Sequence, residues 1–544
     1  MLEGCTEFPA EFVERYLRAR YWEPLTIAQA VMASASRHPG ALAVVDDKRA
    51  LTFRALLDES GAIARVLEES GLGRGDRIVI QLPNCIEFAS LFLACLDIGA
   101  IPVMALPAFR RAELEYLVAF SGAKAIAFAP EHRGFDHASL ARELKGSCDD
   151  LELLFSTEAA SECVDLSRLH SSNSELGRAP ADPYDVALFL LSGGTTGMPK
   201  LIPRTHADYI YNARAASEVC GFNAGSHILL ALPAEHNFPL ACPGLLGAML
   251  TGATATFSQS TRPEDLALVI ERDQITHLPC VPTIAIALAD LPDDFRDKLG
   301  SLRVITVGGQ KLQEPAARKF KERYPWVAVQ QVLGMAEGLL CYTRLDDPEP
   351  IAFATQGRPL SPGDEVKIVD EIGNEMSEGQ VGELWCRGPY TIRGYYRAPE
   401  RNREAFSDDG FYKTGDLVRR EPSGNLIVEG RIKDLINRGG EKISADEIET
   451  HLLAHRDVMV AAVVAMPDRA LGEKACAYVK LRPRATLDIV ALREYLGARG
   501  VARFKWPERL EIVEEMPLTK VGKIAKAELR ADIERKLDRE RVAL

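Results

Sequence analysis

The stretch VALFLLSGGTTGMPK, residues 186–200, joins an apolar run to a loop of glycines, threonines and a lysine. An apolar run that ends in glycines predicts a buried strand followed by a tight loop. In such a loop, glycines let backbone N–H groups converge on a phosphate, hydroxyl groups add donors, and the lysine adds positive charge. The loop is not a P-loop, because Pro199 precedes Lys200 and Leu201 follows it. A glycine-rich hairpin without a ligand has the same composition, so the loop alone leaves both interpretations open.

The segments on either side of this loop alternate short β-rich runs with helical periodicity. The β-rich runs stand at residues 77–82, 125–128, 227–233, 276–282 and 303–309. Residues 87–100, EFASLFLACLDIGA, have the apolar character of a buried helix. This alternation predicts βα units and a largely parallel sheet. None of these strands leads into a GxGxxG helix start, so a Rossmann dinucleotide site has no support.

The pattern changes after Gly357. Short strands separated by glycine, aspartate and proline stand at 365–370, 382–388, 411–416 and 425–431, and they are typical of an antiparallel or barrel-like unit. Beyond about Asp434 a compact α+β pattern follows, with helices predicted at 445–455 and 486–500 and strands at 459–467 and 509–517. We therefore expect an α/β fold with two domains. Residues 1–433 form the large N-terminal domain of βα-type sheets with a barrel-like subdomain, and residues 434–544 form a small α+β domain.

The composition disfavours several functional classes. The 544 residues carry 65 Lys+Arg against 78 Asp+Glu, and the net charge of −13 argues against broad binding to nucleic acids or anionic membranes. Eleven cysteines are scattered without a CxxC motif, so neither a disulfide framework nor a metal site built on cysteines is expected. No apolar stretch approaches the roughly 18 residues of a membrane span, and the acidic N-terminal segment is not typical of a secretory signal. We therefore expect a soluble, cytoplasmic protein.

Further segments combine glycines with charged residues. They are YKTGD at 412–416, GRIKD at 430–434, NRGGEKI at 437–443 and PLTKVGKI at 517–524. An aspartate beyond a tight turn, such as Asp416, can accept hydrogen bonds from two ribose hydroxyls, and Arg431 can help to hold a nucleotide. Taken singly, each segment is also typical of a solvated turn.

Together and in this order, the segments resemble the core motifs of the adenylate-forming superfamily, which comprises acyl-CoA synthetases, luciferases, peptide-synthetase adenylation domains and aryl-acid ligases. LTFRALL (51–57) and LDIGAIPVMALP (96–107) resemble its early structural motifs, LSGGTTGMPK (191–200) its phosphate loop, GMAEG (334–338) its metal and adenine segment, and YKTGD its ribose motif. The region from GRIKD to NRGGEKI resembles the hinge, and PLTKVGKI resembles the catalytic-lysine loop. Seven motifs in register over nearly the whole chain make the resemblance specific.

The resemblance implies a ligase that joins a carboxylate to ATP, releases pyrophosphate and uses Mg²⁺. In this comparison the phosphate loop comprises Ser192, Gly193, Gly194, Thr195, Thr196, Gly197 and Lys200. The nucleotide site comprises Gly309, Gln310, Gln331, Val332, Asp416 and Arg431. Lys523 matches the catalytic lysine, His236 the aromatic gate between the half-reactions, and Glu337 the Mg²⁺ ligand. Asp434 matches the hinge of the small domain, and the face turned towards the thiol carries Gly439, Gly440 and Lys442.

The segment PAEHNFPLACPG, residues 233–244, is the most informative about the acid. Relatives that activate amino acids typically carry Asp at the Asn237 position, where its charge pairs with the substrate ammonium; without that partner a buried carboxylate is costly. An Asn is neutral and can hydrogen-bond a phenolic hydroxyl ortho to the carboxylate. HNF followed by CPG resembles the stand-alone 2-hydroxyaryl-acid ligases of siderophore and non-ribosomal peptide biosynthesis. The implied acid pocket comprises Asn237, Phe238, Cys242, Gln310, Ala336 and Leu340.

Cys242 and Leu340 bear on the ring substituents of the acid. In this subgroup, enzymes for dihydroxybenzoate tend to carry Ser and Val at these positions, and enzymes for salicylate tend to carry Cys and Leu. A Ser can serve a 3-hydroxyl, whereas Cys and a larger Leu make that corner tighter and less polar, so we expect salicylate ahead of 2,3-dihydroxybenzoate. Gln310 stands where a small residue is usual, and Phe238 where Tyr is common. A substituted salicylate or a hydroxypicolinate therefore stays open as an alternative.

The expected acceptor is the phosphopantetheine thiol of a separate aryl carrier protein or of a peptide-synthetase carrier domain. The sequence ends about twenty residues after Lys523, so we expect no carrier domain fused behind it. Free coenzyme A is the alternative acceptor, which would make the chain an aryl-CoA ligase. A nucleotide-binding protein without turnover is a different class, disfavoured because Lys523, Glu337, Asp416 and Lys442 are all present. A hydrolase has no support, since GxSxG and HExxH motifs are missing from the sequence.

Overall fold

The computed structural model describes residues 1–166, 176, 181–192, 198–439, 441–519 and 522–542, and residues 541 and 542 are described without their side chains. Gly193, Gly194, Thr195, Thr196 and Gly197 of the predicted phosphate loop lie outside these residues, as does Gly440 of the predicted thiol-facing surface. The strands and helices that line the cavity described below fall within the described ranges.

The strands and helices alternate through most of the chain. The strands are β1 (Leu42–Val45), β2 (Ala50–Thr52), β3 (Arg77–Gln81), β4 (Ile101–Met104), β5 (Ala123–Phe128), β6 (Glu131–His132), β7 (Phe135–Asp136), β8 (Leu153–Ser156), β9 (Val164–Asp165), β10 (Val186–Leu191), β11 (Leu201–Thr205), β12 (His227–Leu230), β13 (Thr254–Phe257), β14 (His277–Cys280), β15 (Val304–Gly308), β16 (Ala328–Gly334), β17 (Leu340–Tyr342), β18 (Arg358–Pro359), β19 (Glu365–Val369), β20 (Gly382–Arg387), β21 (Tyr412–Arg420), β22 (Leu426–Arg431), β23 (Leu435–Arg438), β24 (Glu441–Ser444), β25 (Val458–Asp468), β26 (Gly472–Leu481) and β27 (Arg509–Ile512).

The helices are α1 (Ala10–Arg18), α2 (Ile27–Ala35), α3 (Phe53–Glu69), α4 (Ile86–Ile98), α5 (Arg111–Ser121), α6 (His137–Ser147), α7 (His206–Cys220), α8 (Asn237–Ala241), α9 (Gly244–Thr251), α10 (Pro263–Arg272), α11 (Pro282–Ala289), α12 (Glu314–Arg323), α13 (Glu349–Ala354), α14 (Pro399–Ala405), α15 (Ala445–Leu453), α16 (Ile489–Ala498) and α17 (Lys526–Val542). Short 3-10 helices cover Asp293–Leu299, Ile432–Asp434 and Arg503–Lys505.

Two large, mainly parallel sheets confirm the predicted α/β fold. One has nine strands in the order β18-β17-β16-β15-β14-β12-β13-β1-β2, and the other has seven in the order β11-β10-β4-β3-β5-β8-β9. A single apolar core contains side chains of both sheets together with those of α2, α4 and α9. Nearly every side chain of α4 is buried, as its composition predicts, and Gly99 ends this helix in the left-handed conformation.

Two smaller sheets follow, and their strands pair mainly in antiparallel fashion. The unit expected after Gly357 is an open four-stranded sheet in the order β19-β20-β21-β22, rather than a closed barrel. The last sheet runs β24-β23-β26-β25, with β27 paired to β26 in parallel. Helices α15, α16 and α17 pack on this sheet through two apolar clusters, which gives the C-terminal segment a core of its own.

The 3-10 helix Ile432–Asp434 joins these two sheets, and the predicted boundary between residues 433 and 434 falls inside it. Polar contacts connect the two sides of this joint. The Ser444 hydroxyl donates to the Glu429 carbonyl at 2.6 Å, and the Thr450 hydroxyl donates to the Gln313 side-chain oxygen at 3.2 Å.

Among the described residues, no helix is long and apolar enough to cross a membrane.

Candidate active site

A cavity opens where the carboxyl ends of β12, β14, β15 and β16 meet. These four strands lie side by side and parallel, and ligands of open α/β sheets bind at such an edge. The cavity is lined by Leu232, Pro233, His236, Asn237, Phe238, Cys242, Val281, Gly309, Val332, Gly334, Met335, Ala336, Leu340 and Lys523. Most of the predicted acid pocket is thus brought together in one place, along with the predicted gate and catalytic lysine.

His236 caps α8 and presents a neutral imidazole to the cavity. Its Nδ1 accepts a hydrogen bond from the Phe238 backbone N–H at 3.3 Å, which places the ring proton on Nε2. Burial, and secondarily the charge of Lys523, lower the pKa of His236 to about 3. At neutral pH the ring therefore offers one N–H donor and carries no charge.

Asn237, only 5% exposed, is fixed by a residue that precedes it by 28 positions. The Tyr209 hydroxyl donates to its carboxamide oxygen at 2.9 Å. The carboxamide nitrogen has no hydrogen-bond partner among the described residues, and Asn237 lines the cavity. The group that this side chain offers to a ligand is therefore an N–H donor.

The apolar wall of the cavity includes Phe238, Cys242, Val332 and Leu340, all of them buried. Gly334 lets this wall close up, because a Cβ at that position would lie 2.5 Å from Leu340 Cδ2. Burial raises the pKa of the Cys242 thiol to about 12, so its sulfur is a neutral and weakly polar part of the wall. A flat aromatic ring without polar substituents on this side suits such a surface.

A tight hairpin carries Lys523 into the cavity from the C-terminal segment. Leu518 and Ile524 form an antiparallel bridge across the hairpin, and the Thr519 N–H donates to the Lys523 carbonyl at 2.6 Å. Gly309 makes room for the lysine, since a Cβ there would lie 2.9 Å from Lys523 Cε. In this structure the lysine of the C-terminal segment is therefore inserted in the cavity.

The surroundings of Lys523 make its ammonium easier to deprotonate. Burial lowers its pKa to about 8, and the positive charges of Arg431 and Lys433 act in the same direction. The carboxylates of Asp416 and Glu337 oppose this change. Among the described residues no carboxylate forms a direct ion pair with Lys523, which suits this cation to receive a ligand anion.

Asp416 and Arg431 form an ion pair near the lysine. They are register partners on β21 and β22, and Arg431 Nε lies 2.6 Å from Asp416 Oδ1. The Asp416 side chain is 6% exposed and that of Arg431 is 50% exposed. Burial raises the pKa of Asp416, and the Arg431 charge opposes the rise. The paired carboxylate keeps lone pairs that can accept hydrogen bonds from ligand hydroxyls.

Glu337 lies beside the cavity and is held by Tyr395, which in turn contacts Tyr412. The Tyr395 hydroxyl donates to Glu337 Oε1 at 2.8 Å and lies 3.0 Å from the Tyr412 hydroxyl. The Lys200 ammonium lies 5.2 Å from the Tyr395 ring centroid. No cluster of three His, Cys, Asp or Glu side chains suited to a metal occurs among the described residues, so a divalent cation here needs oxygens from a bound phosphate as well. One carboxylate would fit Mg²⁺ here only together with the phosphates of a bound nucleotide.

Two glutamines predicted for the site lie outside the cavity. The Gln331 side chain is 1% exposed and makes four internal hydrogen bonds, two to each end of its amide, so it has no free group for a nucleotide. Gln310 is partly exposed and is missing from the cavity lining, although its neighbour Gly309 lines it. The acid pocket is therefore built without Gln310.

The remaining predicted residues do not line the cavity. Ser192 and Lys200 close the base of the predicted phosphate loop through two hydrogen bonds of 3.0 Å. Lys442 lies outside the cavity and pairs with Glu371 of the four-stranded sheet. Gly439 donates its N–H to the Leu471 carbonyl at 2.7 Å.

A buried ion pair beneath the cavity is a feature that the sequence analysis missed. Arg204, fully buried, lies 2.8 Å from Asp208 and donates to the Ala336 carbonyl at 3.1 Å and to the Tyr390 carbonyl at 3.2 Å. Its guanidinium also lies 4.7 Å from the Tyr209 ring centroid. The opposite charges four residues apart in RTHAD, 204–208, are a signal that could have marked this pair.

Comparison with known proteins identifies the family. The model of the AMP-binding enzyme family matches residues 31–396, and that of the AMP-binding enzyme C-terminal domain matches residues 447–523. The chain is 43% identical to the salicyl-AMP ligase / salicyl-S-ArCP synthetase of Mycobacterium tuberculosis, over 96% of this chain and 94% of that protein. It is 42% identical to the 2,3-dihydroxybenzoate-AMP ligase of Bacillus subtilis, over 99% of both chains.

A solved structure supports the same assignment. The apo structure of Mycobacterium smegmatis MbtA matches with a TM-score of 0.75 and 43% identity, over 97% of this chain and 98% of that one. Family, relatives and fold agree with the motif order and with the cavity. The chain therefore belongs to the AMP-binding enzyme family of the adenylate-forming superfamily, and within it to the aryl-acid AMP ligases.

Proposed function

We propose that this ligase activates salicylate with ATP to salicyl-AMP and pyrophosphate, and then transfers the salicyl group to the phosphopantetheine thiol of an aryl carrier protein. The observation that carries the proposal is the shared cavity of Lys523, His236 and Asn237, walled by Cys242 and Leu340. The cavity combines one cation, two N–H donors and an apolar slot, the set of contacts that an ortho-hydroxy aromatic carboxylate needs.

The first half-reaction brings two anions together. A carboxylate oxygen attacks the α-phosphorus of ATP, the bond to the bridging oxygen of pyrophosphate breaks, and the electron pair leaves with pyrophosphate. The barrier is largely electrostatic and positional. We assign Lys523 to the negative charge that develops between carboxylate and α-phosphate, and the neutral His236 N–H to orientation of the carboxylate.

The nucleotide is assigned to the side of the cavity that faces Asp416. Its carboxylate would accept the ribose hydroxyls while Arg431 holds it in place, and Gly309 and Val332 would border the adenosine. We propose Gln310 as a residue of the nucleotide site only, and no longer of the acid pocket. Residues 192–197 and Lys200 remain our proposal for the phosphate loop. Glu337 would hold Mg²⁺ next to the phosphates, where the ion supplies charge neutralisation.

The choice of acid rests on the polarity of one corner of the cavity. Relatives named for salicylate are 43% and 44% identical to the chain, and one named for 2,3-dihydroxybenzoate is 42% identical, so overall similarity does not separate the two acids. Cys242 is 1% and Leu340 2% exposed, and neither offers a strong hydrogen-bond partner to a 3-hydroxyl. Burying that hydroxyl without a partner disfavours dihydroxybenzoate.

We expect the double variant Cys242→Ser, Leu340→Val to shift the preference from salicylate towards 2,3-dihydroxybenzoate. The Ser hydroxyl supplies the missing partner and Val supplies room, so the ratio of kcat/KM values changes by about tenfold or more, since one good hydrogen bond is worth about 1–2 kcal/mol. The ratio is measured by pyrophosphate release with each acid. Cys95→Ser, a buried cysteine of α4, serves as the control. An unchanged ratio in the double variant would contradict the assignment of this corner.

The second half-reaction is assigned to a turned small domain. We propose the domain boundary at residues 433 and 434, with Asp434, which pairs with Arg530, at the hinge. Rotation there would remove Lys523 from the cavity and present the face of Gly439, Gly440 and Lys442 to an incoming thiol. The thiolate attacks the acyl carbon, and AMP leaves with its electron pair. Relatives are named for both acceptors: one is a salicyl-S-ArCP synthetase and another a salicylyl-CoA synthase / salicylate adenylyltransferase. We propose the carrier protein as the acceptor, and coenzyme A is the alternative.

We expect Lys442→Ala to slow transfer to the thiol by about tenfold, with adenylation changed less than about twofold, because the side chain lies outside the cavity in the lysine-inserted state. Pyrophosphate release and mass shift of a phosphopantetheinylated carrier protein report the two steps separately. Glu371→Gln is the control: it removes the exposed ion pair, which contributes about 0–1 kcal/mol, and leaves the lysine. Equal losses in both steps would remove Lys442 from the thiol-transfer step.

The proposed reaction is tested by incubating the enzyme with ATP, Mg²⁺ and salicylate and identifying products by mass spectrometry. We expect salicyl-AMP and pyrophosphate in equal amounts, and a salicyl thioester once the loaded carrier protein is added. Formation of AMP without a salicyl adduct, or no consumption of ATP, would refute the proposal. A thioester on coenzyme A but not on the carrier would change only the acceptor.

A further inference from the structure

We infer that Tyr209 sets the acid specificity at the ortho position: it fixes the Asn237 amide so that the cavity offers an N–H donor there, and so selects a hydroxyl oxygen over an amine. The inference rests on the proposed function, because it concerns the acid bound in the same cavity. It adds a specificity-determining residue outside the cavity lining, and it names 2-aminobenzoate as the acid that is rejected.

The Tyr209 side chain is held rigidly below the cavity. It lies on α7, whose start is fixed by the capping box of Thr205 and Asp208. The ring is fully buried, and the Arg204 guanidinium lies 4.7 Å from its centroid. Arg204 is in turn fixed by Asp208 and by the Ala336 carbonyl of the cavity wall. The position of the tyrosine hydroxyl is therefore set by the fold and not by the ligand.

This hydroxyl determines which end of the amide faces the acid. Among the described residues, the Asn237 oxygen is the only acceptor recorded for the Tyr209 hydroxyl, at 2.9 Å. A half-turn of the amide would place its NH₂ group against the hydroxyl and leave the buried phenolic proton without an acceptor, which is unfavourable. Burial also raises the pKa of Tyr209, so the hydroxyl keeps that proton at neutral pH.

An ortho-hydroxy acid matches this arrangement and an ortho-amino acid does not. In salicylate the phenolic hydrogen bonds the neighbouring carboxylate, and a lone pair of the phenolic oxygen points outwards, ready to accept from the Asn237 amide. In 2-aminobenzoate one N–H bonds the carboxylate and the other points outwards, so two donors would meet. A site that leaves buried donors facing each other rejects the wrong ligand strongly.

The inference is tested with the kcat/KM ratio of salicylate to 2-aminobenzoate, measured by pyrophosphate release. We expect a ratio of about 100 or more for the wild-type enzyme, and a fall to about 10 or less in Tyr209→Phe, because the freed amide can turn to suit either acid. The KM for ATP is expected to stay unchanged, which a general loss of structure would not allow. Tyr211→Phe is the matched control, since it removes a hydroxyl of the same helix that bonds Ser361 at 2.6 Å instead.

Asn237→Asp provides a second, independent variant should Tyr209→Phe fold poorly. A carboxylate can accept from Tyr209 and from a substrate amine at once, so we expect the ratio to invert in favour of 2-aminobenzoate. A wild-type ratio near one, an unchanged ratio in active Tyr209→Phe, or a salicylate preference kept by Asn237→Asp would each overturn the inference. If the wild-type enzyme released no pyrophosphate with either acid, the proposed function would be refuted instead.

Discussion

Replacing Lys523 by alanine is expected to lower the rate of adenylate formation by about 100- to 1,000-fold, the usual cost of removing one preorganised group that meets charge developing in a transition state. Lys523 lies in the same cavity as His236 and Asn237, at the end of a hairpin that the Leu518–Ile524 bridge holds closed. ATP binding, measured by calorimetry, is expected to persist, because the Asp416–Arg431 pair is untouched. Unchanged turnover in the variant would refute the assigned role.

The pH dependence provides a control for this assignment. Only the protonated lysine can stabilise the charge, and its pKa in the free enzyme is lowered to about 8 by burial and by Arg431. The kcat/KM for adenylation is therefore expected to fall as the pH rises through about 8, since this parameter reports groups of the free enzyme. Lys523→Arg keeps its charge in this range, so its profile is expected to stay flat there. A fall at the same pH in Lys523→Arg would assign the titration to another group.

Asp416→Asn is expected to lower kcat/KM for ATP by about 100-fold, mainly through KM. The change removes the charge that pairs with Arg431 at 2.6 Å and weakens the acceptor proposed for the ribose hydroxyls. Hydrogen bonds to charged groups are worth about 1.5–3 kcal/mol, and removal of one partner leaves the other uncompensated. The measurement is the dependence of pyrophosphate release on ATP concentration at saturating salicylate.

The matched control for this variant is Asp409→Asn. Asp409 pairs with Lys367 at 2.9 Å on the same part of the chain, but its side chain is 52% exposed and lies away from the cavity. An exposed pair contributes little, so kinetics with ATP are expected to match those of the wild-type enzyme. Equal effects of both variants, or an Asp416→Asn enzyme with unaltered KM for ATP, would contradict the ribose assignment.

The elements that sequence patterns predicted well are those with strong local signals. Residues 77–82 and 186–192 are apolar runs bounded by polar residues, and they form β3 and β10 within one residue of the expected bounds. Strand β26 was missed: two of its first three residues, Glu473 and Lys474, are charged, and nothing local distinguishes GEK from a turn. Its place between β23 and β25 is decided by tertiary pairing.

The predictions for the site divide in the same way: some rest on local sequence motifs, and others depend on contacts between distant parts of the chain. Motif register placed Lys523, His236 and Asn237 in one cavity, although they lie in segments far apart in the chain. Motif register could not show that both ends of the Gln331 side-chain amide are used in internal hydrogen bonds. It also could not show that Tyr209, which precedes Asn237 by 28 positions, orients the Asn237 amide. Such contacts depend on how α7 and β16 pack, and a linear pattern does not contain that information.

Pyrophosphate release with a panel of acids tests the central claim most directly. The panel holds salicylate, 2,3-dihydroxybenzoate, benzoate, 3-hydroxypicolinate and a set of amino acids, each at the same concentration with ATP and Mg²⁺. We predict the highest kcat/KM for salicylate, with dihydroxybenzoate well behind, benzoate weakened by the loss of the ortho oxygen, and amino acids inactive. A preference for dihydroxybenzoate or for the picolinate would contradict the assignment of the Cys242 and Leu340 corner. If none of the acids gave pyrophosphate release, the proposed activity itself would be contradicted.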